Sequence, residues 1–230
     1  MPTMHRRHFL ALTSIALSAA STSIVVADCA PNEERAGWLT TNVHPGGDAF
    51  VWLGQPRGLP VPTDLEVTIS GASSRLPIVW VVPGVARLRV PGTASGVMRI
   101  ATPPRGRGPT GATFDVTLAS GPPPARISAP PSGLSLARSR HPIRWGEAED
   151  VEARFAAAPP SVRHVIMRWS RFGAAASLAA GTTRVSVYMQ GGCGSSPVDA
   201  APPARGERVE LAFLDDEGNV SSFTSAVMPA

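Results

Sequence analysis

Cys193 is the residue of this 230-residue chain whose setting most suggests nucleophilic chemistry, because it stands in the glycine-rich segment 190–196. A thiol attacks as the thiolate, which forms near neutral pH beside a histidine or at a helix N-terminus. The last histidine in the chain is His164, which precedes that segment. Any base for Cys193 must therefore come from earlier in the chain.

Segment 190–196 reads Gln-Gly-Gly-Cys-Gly-Ser-Ser and resembles the box around the nucleophile of papain-like cysteine proteases, Gln-Gly-x-Cys-Gly-Ser-Cys-Trp. The nucleophile of that box is its second cysteine, which is Ser196 here, and the Trp that follows is Pro197. In that family the His and Asn follow the box by more than about a hundred residues. Because no histidine follows it here, we predict that the chain is not a cysteine protease and that Cys193 lies in a loop.

The remaining reactive groups form no catalytic or metal-binding pattern. The Gly-x-Ser-x-Gly turn of serine hydrolases is absent from the sequence. The histidines His44, His141 and His164 lack metal-ligand spacing, and each is interpreted as a loop or solvent-face residue. The acidic run Asp215–Glu217 has two interpretations, a weak Ca²⁺ site and a solvated turn, and the turn is favoured. The sequence predicts no enzyme activity, no cofactor and no metal.

Tryptophan carries the one binding hypothesis, since an exposed indole ring can stack on a sugar ring. Trp145 and Trp169 follow the inward parity of their strands and are predicted to be core residues. Trp38 precedes the first clear strand, so it is either exposed or packed into one end of the first domain. Packing is favoured, and Trp38 is the ligand-stacking candidate.

The net charge of +4 and the isoelectric point near 10.3 do not predict a nucleic-acid-binding protein. All 21 basic residues are arginine, which keeps its charge to about pH 12, so a small excess raises the isoelectric point strongly. Without Arg6 and Arg7, the remaining 19 face 17 acidic residues. This near balance argues against the basic face that phosphate recognition requires.

Residues 1–27 have the charged, apolar and small-residue parts of a secretory signal peptide, with cleavage expected after Ala27. Arg6, Arg7, Phe9 and Leu10 resemble the core of a bacterial twin-arginine signal. The general secretion route is the alternative. Either route predicts a protein in the periplasm, on the cell surface or outside the cell.

Cys29 and Cys193 are the only cysteines, and an exported protein meets an oxidising compartment. A Cys29–Cys193 disulfide would stabilise the fold by about 4 to 5 kcal/mol in the chain-entropy model. Two free thiols and a lipidated Cys29 are the alternatives, and Asp28 is an unsuitable neighbour for lipidation. The disulfide is favoured, and membrane attachment is expected only if Cys29 is lipidated.

A proline-rich segment divides the mature chain into two parts of similar length. Residues 121–135 contain five prolines, which extend the chain as a stiff spacer and resist joining a sheet. The predicted organisation is a domain over 28–120, a linker over 121–135 and a domain over 136–230. Each domain has the size of a small β-sandwich.

Hydrophobic alternation predicts antiparallel sheets in each domain, with one face of each sheet exposed to solvent. In the second domain Val165, Met167 and Trp169 share one side of a strand, and Ile166 breaks the alternation. In the first domain both parities of segment 50–53 are apolar, which predicts a strand covered on both faces. In the first domain the predicted strands are 49–53, 65–69, 76–82, 85–90, 97–100 and 114–118, and Pro77 is expected in a loop, a bulge or an edge strand. In the second domain two more short strands are predicted, one from Ile143 with Trp145 and one from Val151 with Phe155. A helical turn is predicted at 174–180.

Residues 213–221 read as a hairpin, with an apolar strand, an acidic turn containing Gly218 and the start of another strand. This segment resembles the last hairpin of bacterial immunoglobulin-like and fibronectin-type-III-like modules. The resemblance implies an all-β protein of two such sandwiches, and this fold carries no fixed activity. We expect an exported, non-enzymatic structural or recognition module at the cell envelope, with an envelope protein or a glycan as partner; the alternative is a carbohydrate-binding accessory protein that uses Trp38.

Overall fold

Strands and connecting loops make up all of the chain that the computed structural model describes, and no helix occurs there. The described ranges are 36–54, 61–102, 113–124, 129–143, 146–189 and 201–230. The six strands predicted for the first half are all present, with ends within a few residues of the expected ones. The N-terminal strands are β1 (Gly37–Trp38), β2 (Asp48–Trp52), β3 (Asp64–Ile69), β4 (Ala72–Val82), β5 (Val85–Arg89), β6 (Val97–Ala101) and β7 (Thr113–Thr117).

The C-terminal half contains seven further strands among the described residues. They are β8 (Ser135–Ile143), β9 (Gly146–Arg154), β10 (Val162–Trp169), β11 (Phe172–Ser177), β12 (Arg184–Met189), β13 (Arg208–Asp215) and β14 (Thr224–Val227). The helical turn expected at 174–180 is wrong, because residues Phe172–Ser177 form β11. The ladder of antiparallel pairs with β10 overrides the helix preference of the alanines in this segment.

The two halves have the same strand order, offset by seven strands. In the C-terminal half, β12-β9-β8 form one sheet and β11-β10-β13-β14 the other, and every described pairing is antiparallel. In the N-terminal half the order β1-β2-β5-β4-β3-β6-β7 contains the equivalent groups β1-β2-β5 and β4-β3-β6-β7. Two sheets of three and four strands are the arrangement of immunoglobulin-like sandwiches, so the predicted all-β fold class is confirmed.

The N-terminal half differs in one strand, β4, which joins both of its sheets. Residues 72–77 of β4 pair with β3, and residues 78–82 pair with β5. Pro77 lies where β4 changes partner, so its missing N–H removes no hydrogen bond from a continuing ladder. Residues 72–77 have a partner on one side only, so Pro77 occupies an edge position within β4, which is one of the positions expected for it.

Each half encloses its own apolar core. The N-terminal core includes Val51, Leu65 and Met98, and the C-terminal core includes Trp169 and Phe213. The predicted inward position of Trp169 is confirmed, since it is 2% exposed. Its indole nitrogen Nε1 donates a hydrogen bond to the Ala201 carbonyl at 2.8 Å, which satisfies the ring's polar atom inside the core.

Candidate functional site: the interface between the two sandwiches

A third apolar cluster lies between the two sandwiches rather than inside either one. Leu39, Phe50, Val82 and Val85 come from the N-terminal half, and Ile166 and Leu214 come from the C-terminal half. Phe50 and Ile166 are 0% exposed. Residues from the outer faces of β2 and β10 therefore belong to one buried apolar cluster, and we call this set of residues the docking cluster.

The docking cluster is built from residues that break the alternation of their strands. Val51 points into its own core, whereas Phe50 belongs to the docking cluster. Val165 and Met167 point into the C-terminal core, whereas Ile166 faces the other sandwich. The expectation of one wet face is wrong for this sheet, because Ile166 and its neighbours cover their outer face with a second sandwich.

The turn between β4 and β5 supplies one close backbone contact from the N-terminal side. It packs against β10 and β11, and an added Cβ at Gly173 of β11 would overlap the carbonyl oxygen of Pro83. Glycine is therefore required at position 173 because the backbones approach closely. Edge strand β11 is covered here by the other sandwich, which also protects a sheet edge from unwanted pairing.

The acidic turn 215–219 is ordered by Asp215, which is 2% exposed. One oxygen of this carboxylate, Oδ1, accepts the backbone N–H groups of Glu217 at 3.0 Å and Asn219 at 2.8 Å. The other, Oδ2, accepts the Asn219 side-chain amide at 2.9 Å. Asp215 thus stabilises the turn from within, as aspartate side chains commonly do.

Asp216 projects from this turn onto the N-terminal sandwich. Its Oδ1 accepts the backbone N–H of Thr41 at 3.1 Å and the Thr41 hydroxyl at 2.7 Å. Its backbone carbonyl accepts the N–H of Asn42 at 3.0 Å, and the Asn42 side chain donates to Glu217 Oε1 at 3.4 Å. The acidic run is therefore a docking element, and its interpretation as a simple solvated turn is wrong.

Gly218 completes this contact. Its φ of +86° lies in the left-handed region, and an added Cβ would overlap the carbonyl oxygen of Asp48 in β2. Any larger residue would have to move the turn away from the N-terminal sandwich. Each half therefore contributes one turn to the contact: the β4–β5 turn packs against β11, and turn 215–219 packs against β2.

His164 stands in β10, two residues before Ile166 and opposite Leu214 in β13. It was expected to be a solvent-face residue, but it is partly buried and its Nδ1 is inaccessible, with no hydrogen-bond partner among the described residues. Burial lowers the pKa of His164, and the negative charge of Asp216 opposes that shift without cancelling it. The lowered pKa favours the neutral form of His164 at neutral pH.

A polar rim borders the docking cluster along β10 and β13. The Nε of Arg168 donates to Glu210 Oε2 at 2.5 Å, and the guanidinium lies 4.7 Å from the ring centroid of Phe223. Phe223 packs against the docking cluster. This ion pair is only partly buried, so it contributes orientation more than stability.

A shallow depression with a partly polar lining lies on the outer face of β8, β9 and β12. Ser139, Asp150 and Ser186 are among its lining residues. His141 Nδ1 lies 3.3 Å from Asp150 Oδ2, and His141 is exposed as predicted. Among the described residues no hydrogen bond joins His141 to a hydroxyl, so the arrangement supplies no activated nucleophile.

Trp38 is half-buried, and its ring meets Phe114 edge-on with centroids 5.5 Å apart. It packs against the N-terminal core where β1 and β7 approach each other. The indole Nε1 is inaccessible and has no described hydrogen-bond partner. Trp38 thus contributes packing, and its role as a ligand-stacking residue stays a prediction.

His44 lies in the loop between β1 and β2, as expected, and it is buried there, with Nδ1 3.2 Å from the Gly121 carbonyl oxygen. The other predicted site residues lie outside the described residues. They are Arg6, Arg7, Phe9, Leu10, Cys29, Trp145 and Cys193.

Metal and membrane signals are absent from the part of the chain that the structure describes. No group of three or more His, Cys, Asp or Glu side chains is placed there to hold a metal ion. Nor does any helix in those ranges have the length and hydrophobicity to cross a membrane.

No family model matches the sequence, and a sequence search of curated proteins finds no match. A two-domain fibronectin type-III segment of chicken tenascin is similar in structure with a TM-score of 0.26 and 13% identity, over 85% of this chain and 97% of that chain. The BSP domain of a biofilm-associated protein is similar with a TM-score of 0.25 and 12% identity, over 85% of this chain and 29% of that chain. TM-scores this low carry no argument about function, and the sandwich fold rests on the strand order itself.

Proposed function

We propose that the chain is a rigid, non-enzymatic two-sandwich module of an exported protein, with a structural or recognition role at the cell envelope. The observation that carries this proposal is the docking cluster, whose six buried apolar side chains lie between the sandwiches. Domains of one chain move relative to each other by default unless their interface is substantial and apolar. The docking cluster supplies such an interface, so the two sandwiches hold one orientation.

The proposed domains are residues 28–120 and 136–230, joined by the linker 121–135. A proline-rich spacer alone would keep two domains apart without fixing their angle. The contacts of Gly173 and Gly218 with the opposite half support a fixed angle, because both need backbones in direct contact. The module would then present surfaces of both sandwiches in a constant arrangement to a partner in the envelope.

The described tryptophans support a structural role more than a sugar-binding one. Trp169 is a core residue, and Trp52 packs against the docking cluster. Trp38 and Trp80 pack against the N-terminal core, and Trp80 Nε1 donates to the Pro62 carbonyl at 2.9 Å. Each of these four rings is at least half-buried, so none forms part of a flat exposed stacking platform.

Small-angle X-ray scattering of the mature chain tests the proposal. Ile166→Asp places a charge in the docking cluster and should raise the radius of gyration as the sandwiches separate. The matched control is Val79→Asp, which places the same residue at an exposed position of β4 and should leave the scattering unchanged. Equal scattering from wild type and Ile166→Asp would contradict a fixed orientation that depends on this cluster.

Export is tested separately by expressing the full-length chain in a bacterial host. Intact mass of the periplasmic product should correspond to cleavage after Ala27. A loss of 2 Da relative to the reduced chain would show one disulfide, and a large increment would show acyl chains on Cys29. Retention of the uncleaved precursor in the cytoplasm would contradict the export proposal.

A further inference from the structure

We propose that His164 couples the docking of the two sandwiches to pH, so that acidification loosens the contact between turn 215–219 and the N-terminal half. This inference rests on the proposed rigid docking and adds a condition under which it is released. It follows from the position of an ionisable ring at the edge of an apolar interface. The released state would expose the docking cluster and free the two sandwiches to reorient.

The geometry places His164 on the face of β10 that carries the docking cluster. It shares the outer face of β10 with Ile166, and its cross-strand partner in β13 is Leu214; both belong to the docking cluster. Its cross-strand partner in β11 is the neutral Ser177. Its Nδ1 is inaccessible and has no described hydrogen-bond partner. A proton added to this ring therefore meets apolar neighbours on two sides.

Asp216 is the charged group that acts on His164. This carboxylate is already the acceptor of two hydrogen bonds from Thr41 across the interface. A protonated His164 would compete for it with Thr41. Protonation thus both places charge beside apolar residues and draws Asp216 away from its docking contact.

The other charged groups on the surrounding elements have partners of their own. On β10, Arg163 donates to the Pro160 carbonyl and Arg168 pairs with Glu210 of β13. In the turn, the Asp215 carboxylate accepts three hydrogen bonds and Glu217 accepts one from Asn42. On the N-terminal side, Asp48 of β2 lies between Arg87 and Arg89.

The sign of the effect follows from the direction of the shift. Burial lowers the pKa of docked His164, so the docked state binds its proton more weakly than the released state, where the ordinary value is about 6.5. Docking stability is then complete above about pH 6.5 and is lost as the pH falls toward the lowered pKa. The released fraction should rise by up to about tenfold per pH unit within that window.

Amide hydrogen exchange measures this directly, because rare release exposes the interface N–H groups. The Thr41 and Asn42 amides, which donate to Asp216, should lose protection by up to about tenfold per pH unit between pH 6.5 and 5. The range stays above the ordinary aspartate pKa of about 3.9. The Ile78 amide, which donates to Thr63 inside the N-terminal sandwich, should keep constant protection.

The matched variants are His164→Gln and His141→Gln. Protection of the Thr41 and Asn42 amides should become independent of pH in His164→Gln and should stay pH-dependent in His141→Gln, because His141 is exposed on the distant sheet β8-β9-β12. His164→Asn serves in its place if His164→Gln does not fold. Wild-type protection that is independent of pH, or loss of protection that persists in the His164 variant, would overturn the proposal.

The same exchange data distinguish a failure of the His164 role from a failure of the docking itself. Protected Thr41 and Asn42 amides that ignore pH would overturn the role of His164 and leave the rigid docking standing. Amides with no protection already at pH 7.5 would overturn the docking and the pH response together.

Discussion

The two sandwiches share one strand order, but the edge strands β4 and β11 are covered by different parts of the chain. In the N-terminal sandwich, β4 pairs with β3 in one sheet and with β5 in the other, so the two sheets are continuous through one strand. In the C-terminal sandwich, the equivalent strand β11 pairs only with β10 among the described residues. Its edge is covered by the β4–β5 turn of the N-terminal sandwich.

This difference indicates an unequal dependence of the two halves on each other. In the N-terminal sandwich, β4 pairs with strands of its own half, β3 and β5. In the C-terminal sandwich, the free edge of β11 packs against the other half. Both bury outward-facing apolar residues in the docking cluster, including Phe50 and Ile166. We therefore expect substitutions at the interface to affect the C-terminal sandwich more strongly than the N-terminal one.

The largest expected effect compares one tryptophan from each half. Trp169→Ala should lower the free energy of unfolding by about 3 to 5 kcal/mol, because it empties a fully buried site. Trp80→Ala should cost less, because Trp80 is only half-buried. Urea denaturation followed by circular dichroism measures both. A cost below about 1 kcal/mol for Trp169→Ala would contradict its place in the core.

The next effect tests the covered edge of β11. Gly173→Ala should destabilise the docked state by about 1 to 3 kcal/mol, because the new Cβ overlaps the Pro83 carbonyl oxygen. Gly92→Ala is the control: no atom lies within 4 Å of its Cβ position, and neither glycine has a φ in the left-handed region. Thermal melting of the two variants should differ, and equal melting temperatures would show that β11 is not held against Pro83.

A smaller effect tests the hydrogen bonds of Asp216. Thr41→Val removes the hydroxyl that donates at 2.7 Å and should cost about 1 kcal/mol, chiefly by weakening docking. Thr68→Val is the control, since it removes an exposed hydroxyl that bonds to Ser73 within the N-terminal sandwich. Protection of the Asn42 amide should fall in Thr41→Val and stay unchanged in Thr68→Val; the same protection in both would contradict the docking role of Thr41.

The smallest effect is a pH dependence confined to the N-terminal sandwich. Arg99 donates to both oxygens of Asp115 at 2.7 and 2.8 Å, and this pairing lowers the pKa of Asp115. Its contribution is present above the ordinary aspartate pKa of about 3.9 and is lost as the pH falls through the lowered value. Arg99→Gln should therefore reduce the melting temperature slightly at pH 6 and by less at pH 2. A reduction of equal size at both pH values would show that Arg99 acts through packing.

Hydrophobic alternation predicted the strands and their inward faces because each sandwich core selects residues locally. The same alternation marked the interface as an irregularity at Ile166 and in segment 50–53, although it did not show that the two irregularities meet. Nothing local to the acidic run 215–219 distinguishes a solvated turn from a docked one, since its partners Thr41 and Asn42 lie 175 residues away. Contacts between distant segments follow from the arrangement of whole domains, which local patterns do not encode.

Residual dipolar couplings of a chain of residues 28–230 test whether the two sandwiches form one rigid body. Couplings from N–H groups of β3 and β6 report the orientation of the N-terminal sandwich, and those of β9 and β12 report the C-terminal one. We predict that both sets fit a single alignment tensor at neutral pH and require two tensors in Ile166→Asp. Two different tensors for the wild-type chain at neutral pH would contradict the account.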